Sequence, residues 1–170
     1  FSCQAAVDYA KRYAALAEDK AKAETDAARK QGLLCIAKNC RRVPENPAES
    51  FYEACQSFWF IQMLLQIESS GHSISPGRFD QYMYPYYKAD KEAGRITAER
   101  VIELPQCLYT KVSDLIKLRN SYYSSAVAGY VMWPTLLIGG QDKDGHDASN
   151  ELSYLVLEAS DGVKLQSPSI

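Results

Sequence analysis

Histidine is scarce in this sequence, with two copies in 170 residues, and cysteine occurs only five times. A zinc site built from protein side chains needs roughly four such ligands close together, whereas Cys35 and Cys40 are not even arranged as a Cys-x-x-Cys pair. An odd number of cysteines in apolar, helix-like stretches also argues against a disulfide framework. We therefore expect no metal site and reduced cysteines that are buried as small hydrophobic side chains.

A large excess of one charge is also missing, since 19 basic and 21 acidic residues give a formal net charge of -2. This composition argues against a nucleic-acid partner. The sequence has no uninterrupted apolar run of membrane-spanning length and no N-terminal signal segment, so it predicts a cytoplasmic protein without a membrane partner. It opens on Phe1 inside a helix-like stretch and closes on the strand-like "LQSPSI", which predicts a piece of a larger protein.

The first third of the sequence predicts helices. Residues 3–40 fit two helices, the first with a stripe of small apolar residues at helical spacing: Val7, Ala10, Ala14, Ala17 and Ala21. A third helix is predicted with Asn46 as N-cap and Pro47 as its first residue. Because this helix is apolar on nearly every side, it must be covered on all sides, so we expect it to lie in the interior of a larger protein.

The remaining sequence predicts an α/β arrangement. Residues 78–94 fit a helix with a break near Pro85, and a further helix runs from a Thr97 cap to about Leu118 with a kink at Pro105. "YVMWPTLLIGG" predicts a buried strand, "DKDG" a turn, the segment from Ser149 a helix, and "VKLQSPSI" a further strand. A strand, helix, strand unit after several helices is typical of α/β proteins.

Two residues whose side chains can exchange protons or form hydrogen bonds follow the third helix, in "GHSIS". His72 can exchange a proton near neutral pH, and the Ser73 hydroxyl both donates and accepts hydrogen bonds. The pair suits a substrate that carries hydroxyl groups, but a histidine that caps carbonyl groups at the helix end explains the same pattern. The next residues, "SPGR", predict a tight turn centred on Pro76 and Gly77.

Arg78 and Asp80 follow this turn closely enough to meet each other or to reach backbone groups beyond it. We interpret them as a structural brace. "DKDGHD" lacks the residue pattern of a calcium loop, so we interpret Asp144 and Gly145 as a turn and His146 as solvated.

Two long blocks of this sequence resemble the pyruvate formate-lyase-like glycyl radical enzymes, and particularly their glycerol and diol dehydratase branch. The blocks are "CRRVPENPAESFYEACQSFWFIQMLLQIESSGHSISPGRFDQYMYPYY" and "AGYVMWPTLLIGGQDKDGHDASNELSYLVLEA". The resemblance implies that residues 1–170 are a helix-rich internal part of one such domain, within a ten-stranded α/β barrel. "AVAGY" is similar to the motif that carries the radical, but Ala126 stands where that motif has Arg.

The resemblance also implies the chemistry of the intact enzyme. A radical on a glycine oxidises a cysteine, which then abstracts hydrogen from the substrate, and both residues are expected downstream of Ile170, so that this chain alone is inactive. The radical is installed by an S-adenosylmethionine-dependent activating enzyme, and no other cofactor binds directly. By the same resemblance, His72 and Ser73 contact the hydroxyl groups of a small substrate, and the full-length enzyme is a homodimer.

The reaction implied most directly is loss of water from glycerol or another 1,2-diol without vitamin B12. Formate acetyltransferase activity, or cleavage of another carbon-carbon, carbon-nitrogen or carbon-sulfur bond, is an alternative within the same family. A non-catalytic helical scaffold or binding domain is an alternative of a different class.

Overall fold

The computed structural model describes residues 2–69, 73–115, 120–127 and 134–170. The elements in these ranges are α1 (Ser2–Ala23), α2 (Ala27–Arg42), α3 (Phe51–Glu68), β1 (Gly77–Arg78), α4 (Phe79–Glu92), α5 (Ala98–Ser113), α6 (Ser121–Val127), β2 (Leu136–Leu137) and α7 (Glu151–Val163). The chain divides into two compact units, Phe1–Leu64 and Leu65–Ile170. None of the helices described combines the length and the apolar character that a membrane span requires.

The first unit is built on the packing of α1 against α2. The predicted small-residue stripe of α1 is confirmed for Ala10, Ala14, Ala17 and Ala21, which are all buried, whereas Val7 is half-buried. Small side chains let two helices approach closely, and Ala10 and Ala14 share an apolar cluster with Cys40 and Phe60. The α2 helix begins after Asp26, whose side chain accepts a hydrogen bond from the Arg29 amide at 2.7 Å.

The third helix was predicted to begin at Pro47, but it begins at Phe51. Ser50 caps it, because its hydroxyl accepts a hydrogen bond from the Glu53 amide at 3.2 Å. The Arg42 side chain explains the delay: it donates to the Pro47 carbonyl at 3.1 Å and pairs with the Glu53 carboxylate at 3.2 Å. These contacts hold the preceding residues in a loop.

Within this chain, α3 keeps part of its apolar surface exposed. Ile61 is 50% exposed and Ile67 is 67% exposed, and Leu65 is exposed between them. Phe51 and Phe60, near the start and middle of the helix, are buried.

The second unit contains a small parallel sheet. β1 pairs with β2 in parallel, with Gly77 opposite Leu136 and Arg78 opposite Leu137. Ser169 continues the sheet through a parallel bridge to Thr135, and its carbonyl accepts a hydrogen bond from the Leu136 amide at 2.8 Å. Three parallel segments joined by helices confirm the α/β class, although the paired strands are shorter than predicted.

Helix α4 packs against β2, and α7 packs against both α4 and α5. The predicted Thr97 cap is confirmed, because its hydroxyl accepts from the Arg100 amide at 3.3 Å. The break predicted near Pro85 is wrong, since α4 continues through it. Pro85 is exposed, so water can bind the carbonyl that proline leaves without a donor. Helix α7 is capped by Asn150 rather than Ser149, and its Val156 carbonyl accepts a hydrogen bond from the Tyr109 hydroxyl of α5 at 3.2 Å.

The cysteines only partly follow the prediction. All five are free thiols; Cys40 and Cys55 are buried, but Cys3 and Cys107 are exposed and Cys35 is half-buried. Burial raises the pKa of the Cys40 thiol to about 11, which makes it a poor nucleophile. The surface positions of Cys3 and Cys107 correct the expectation that every cysteine is a core residue.

Candidate substrate-contact site

The predicted substrate-contact residues fall just before β1. His72 lies outside the described residues, as does Gly71, whereas Ser73 is described and exposed. The Ser73 backbone has a φ of 53°, a left-handed conformation that is uncommon for residues other than glycine. The tight turn predicted at Pro76 and Gly77 is replaced by the start of β1, where Gly77 has a φ of 73°.

Three hydrogen bonds, made by two side chains, hold this segment in place. The Ser75 hydroxyl accepts a hydrogen bond from the Thr135 amide at 3.0 Å and donates to the Ser73 carbonyl at 3.4 Å. The Tyr82 hydroxyl of α4 donates to the Pro76 carbonyl at 3.1 Å. The segment that enters β1 is thereby tied both to the neighbouring strand and to the helix that follows.

Asp80 lies on the other side of β1, in the first turn of α4. Its side chain is fully buried, and its Oδ2 atom accepts hydrogen bonds from the Gly139 amide at 2.7 Å and the Ser153 hydroxyl at 2.5 Å. The Ser153 hydroxyl in turn accepts from the Asn150 amide at 2.9 Å. One carboxylate therefore connects the start of α4, the loop after β2 and the first turn of α7.

Arg78 also reaches the loop after β2. Its Nη1 atom donates to the Gln141 carbonyl at 3.4 Å, and Gln81 donates to the Gly139 carbonyl at 2.7 Å. Arg78 and Asp80 thus bind two positions of one loop instead of pairing with each other. Ser73 lies before β1, whereas Arg78 and Asp80 lie at and after its last residue. The candidate residues are therefore divided between the two ends of β1.

Sequence reasoning missed several residues that build this arrangement. Gly139 has a φ of 63°, and a Cβ atom there would lie 2.8 Å from the Ser149 hydroxyl, so only glycine fits without rearrangement. The Gly139-Gly140 pair after an apolar run was the available signal. No signal in the sequence pointed to Ser75 or Ser153, because an isolated serine can form many kinds of local hydrogen bond.

The "DKDGHD" segment forms the predicted turn, with His146 exposed. Asp142 accepts hydrogen bonds from the Asp144 amide at 2.8 Å and the His146 amide at 2.9 Å. These N–H groups, that of His146 foremost, hold the pKa of the Asp142 carboxyl below its usual range. One ligand atom from each of Asp142, Asp144 and His146 lies within 4.8 Å of the others, a proximity that the turn itself explains.

Comparisons with known proteins agree on one family. The family model described as "Pyruvate formate lyase-like" matches residues 1–170. An isethionate sulfite-lyase of Desulfovibrio desulfuricans is 45% identical over 99% of this chain and 20% of its own length. The chain therefore spans about a fifth of that curated relative.

Two solved structures are similar to this chain in both sequence and fold. One concerns 1,2-propanediol dehydration in Roseburia inulinivorans; it shares 56% identity and a TM-score of 0.95, covering 98% of this chain and 21% of that one. The other is a glycerol-bound, B12-independent glycerol dehydratase from Clostridium butyricum, with 49% identity, a TM-score of 0.93 and the same coverage.

Proposed function

We propose, on the premise that this chain belongs to the pyruvate formate lyase-like family, that it is an internal segment of a glycyl radical enzyme that removes water from a vicinal diol. The observation that carries the proposal is the likeness to the propanediol and glycerol dehydration structures, in sequence and in fold. The substrate would be a small molecule with hydroxyl groups on neighbouring carbons.

The radical chemistry would be supplied by residues outside this chain. The glycyl radical of such an enzyme supplies the hydrogen abstraction that starts the reaction. The sequence contains no Gly-Cys-x-Glu-Pro loop, and Ala126 replaces the Arg of the radical-bearing motif. This chain would therefore contribute one wall of the active site and part of its substrate contacts, and it would not turn over substrate alone.

Ser73 is the described residue best suited to bind the substrate. Its hydroxyl can donate a hydrogen bond to one substrate oxygen or accept one from it, and the side chain is exposed within this chain. His72 would share a proton with the departing hydroxyl group. Arg78 and Asp80 would stay in the supporting role that their contacts with residues 139–141 favour.

Cleavage of a carbon-sulfur bond is the second candidate. The identity to an isethionate sulfite-lyase favours it, and isethionate also carries a hydroxyl group that Ser73 could bind. Formate acetyltransferase activity and a purely structural role gain no comparable support. By analogy with the family, a radical S-adenosylmethionine enzyme would activate the intact protein, which would be a cytoplasmic homodimer.

A substrate panel separates the two candidates. The full-length protein carrying this chain would be activated without oxygen and given 1,2-propanediol, glycerol and isethionate in parallel. We expect an aldehyde from at least one diol and no sulfite from isethionate. Sulfite release without diol turnover would contradict the dehydratase proposal while leaving the family assignment intact.

A further inference from the structure

The Ser73 backbone adopts a conformation that its surroundings must hold. A φ of 53° is unfavourable for a residue with a side chain and persists only where other contacts determine it. Lys164 also has a positive φ among the described residues, but it is the C-cap of α7, where this conformation is ordinary. Ser73 lies beyond the last residue of α3 and has no such explanation.

Ser75 contacts this backbone from two residues further along the chain. Its hydroxyl donates to the Ser73 carbonyl at 3.4 Å and accepts from the Thr135 amide at 3.0 Å. A single side chain therefore links the Ser73 peptide to the strand segment that begins at Thr135.

The neighbouring residues show what the Ser75 hydroxyl adds here. The sheet pairing of β1 begins with Gly77 opposite Leu136, and the residues just before each of these segments include Pro76 and Pro134. Neither proline has an N–H group to donate, and their carbonyls accept other donors, from the Tyr82 hydroxyl at 3.1 Å and from the Ser169 amide at 3.2 Å. The Ser75 hydroxyl serves as the acceptor for the Thr135 amide in place of a backbone carbonyl.

We infer that Ser75 is a positioning residue for the substrate contact made by Ser73. This inference rests on the proposed function and deepens it. Ser75 does not touch the substrate itself; it fixes the Ser73 peptide against Thr135, so that the Ser73 hydroxyl is already oriented when the substrate arrives. Orienting a binding group in advance lowers the cost of reaching the reactive geometry.

A double-mutant cycle in the activated full-length protein tests this coupling, using the substrate that the wild type turns over. We expect Ser75→Ala to lower kcat/KM by about tenfold, the order of one lost hydrogen bond and the orientation it maintains. In a Ser73→Ala background, Ser75→Ala should have no further effect. Ser75→Thr keeps the hydroxyl and should remain within about threefold of the wild type.

Ser169→Ala is the matched control, because the Ser169 hydroxyl meets the Thr135 side chain at 3.2 Å from the neighbouring segment and does not contact Ser73. It should leave kcat/KM unchanged, and the glycyl radical signal should be equal in all variants. If Ser75→Ala yields no folded protein, the nearly isosteric Ser75→Cys takes its place. The inference would be overturned if the losses of kcat/KM in Ser73→Ala and Ser75→Ala multiplied in the double variant. It would also be overturned if Ser169→Ala lowered kcat/KM as much as Ser75→Ala does.

Hydrogen exchange distinguishes this inference from the proposed function. The Thr135 amide should exchange faster in Ser75→Ala but not in Ser73→Ala, whichever substrate the enzyme uses. If the wild-type protein turns over no diol, the proposed function is contradicted. If the wild type is active and Ser75→Ala keeps the full kcat/KM and the original exchange rate of the Thr135 amide, only this inference is contradicted.

Discussion

Individual residues carry the proposed chemistry. Ser73 has a hydroxyl group suited to the proposed contact and a backbone φ of 53°, and the family resemblance of the motif around it made it a candidate from the sequence. The Ser75 contact was not predictable in the same way, because it depends on a strand segment 60 residues later in the chain. A single sequence does not show which distant segments become neighbours.

The residues of the "GHSIS" motif can be tested separately from radical formation. In the full-length enzyme, we expect His72→Ala and Ser73→Ala to lower turnover by roughly a hundredfold and tenfold, the scales of general acid-base catalysis and of one hydrogen bond. The glycyl radical signal, measured by electron paramagnetic resonance, should stay at the wild-type level.

Ser69→Ala is the control for these variants, since the Ser69 hydroxyl is exposed and donates to the Leu65 carbonyl at 2.6 Å within one helical turn. Its turnover should match the wild type. Loss of the radical signal in His72→Ala would argue against a role in substrate binding.

Asp80 is expected to matter for stability. Asp80→Ala removes the acceptor of two hydrogen bonds at a fully buried position, which should lower the free energy of unfolding by about 3 kcal/mol. Asp144→Ala, at an exposed position in the "DKDG" turn, should change it by less than about 0.5 kcal/mol. Denaturant unfolding of the intact protein measures both, and equal effects would contradict the role assigned to Asp80.

Cys40 gives a pH-dependent prediction. Because burial raises its pKa from an ordinary 9.0 to about 11, the reactive thiolate should be roughly a hundredfold rarer than for an ordinary thiol at pH 8. Alkylation of Cys40 in the native protein should remain slow until the pH approaches 11, and it should become fast in denaturant at pH 8. Mass spectrometry of the labelled peptides measures this; fast native labelling at pH 8 would contradict the buried position.

At the scale of helices and strands, local signals in the sequence were sufficient in some places and not in others. The Thr97 cap and the alanine stripe of α1 follow from residue type and spacing. The start of α3 does not follow from local signals. The Arg42 side chain binds the Pro47 carbonyl and the Glu53 carboxylate, and these contacts override the Asn46-Pro47 signal for a helix start. Pro85 likewise failed to end α4, since it lies on the exposed face of that helix.

The close approach of α1 and α2 can be tested with one enlarged side chain. Ala14 is fully buried, so Ala14→Leu should lower the free energy of unfolding of the intact protein by about 1–3 kcal/mol through overpacking. Ala5→Leu, at an exposed position of the same helix, should leave it within about 0.5 kcal/mol. A neutral effect of Ala14→Leu would show that the two helices pack less closely than described.

At the scale of the whole molecule, the exposed apolar residues of α3 and the short parallel strands favour a chain that is completed by further sequence. Ile61, Leu65 and Ile67 are each exposed apolar side chains, which a larger barrel would cover. The sequence predicted this incompleteness because α3 is apolar on nearly every side.

The intact mass of the native polypeptide from anaerobically grown source cells tests the central claim most directly. This chain has a mass of 19.0 kDa and matches 20% of the isethionate sulfite-lyase, so a protein of that length would have a mass of about 95 kDa, which is 19.0 kDa divided by 0.20. We predict a mass near this value, with peptides that contain a Gly-Cys-x-Glu-Pro loop and an Arg-Val-x-Gly-Tyr segment. A native polypeptide of 19.0 kDa would contradict the assignment of this chain to the interior of a glycyl radical enzyme.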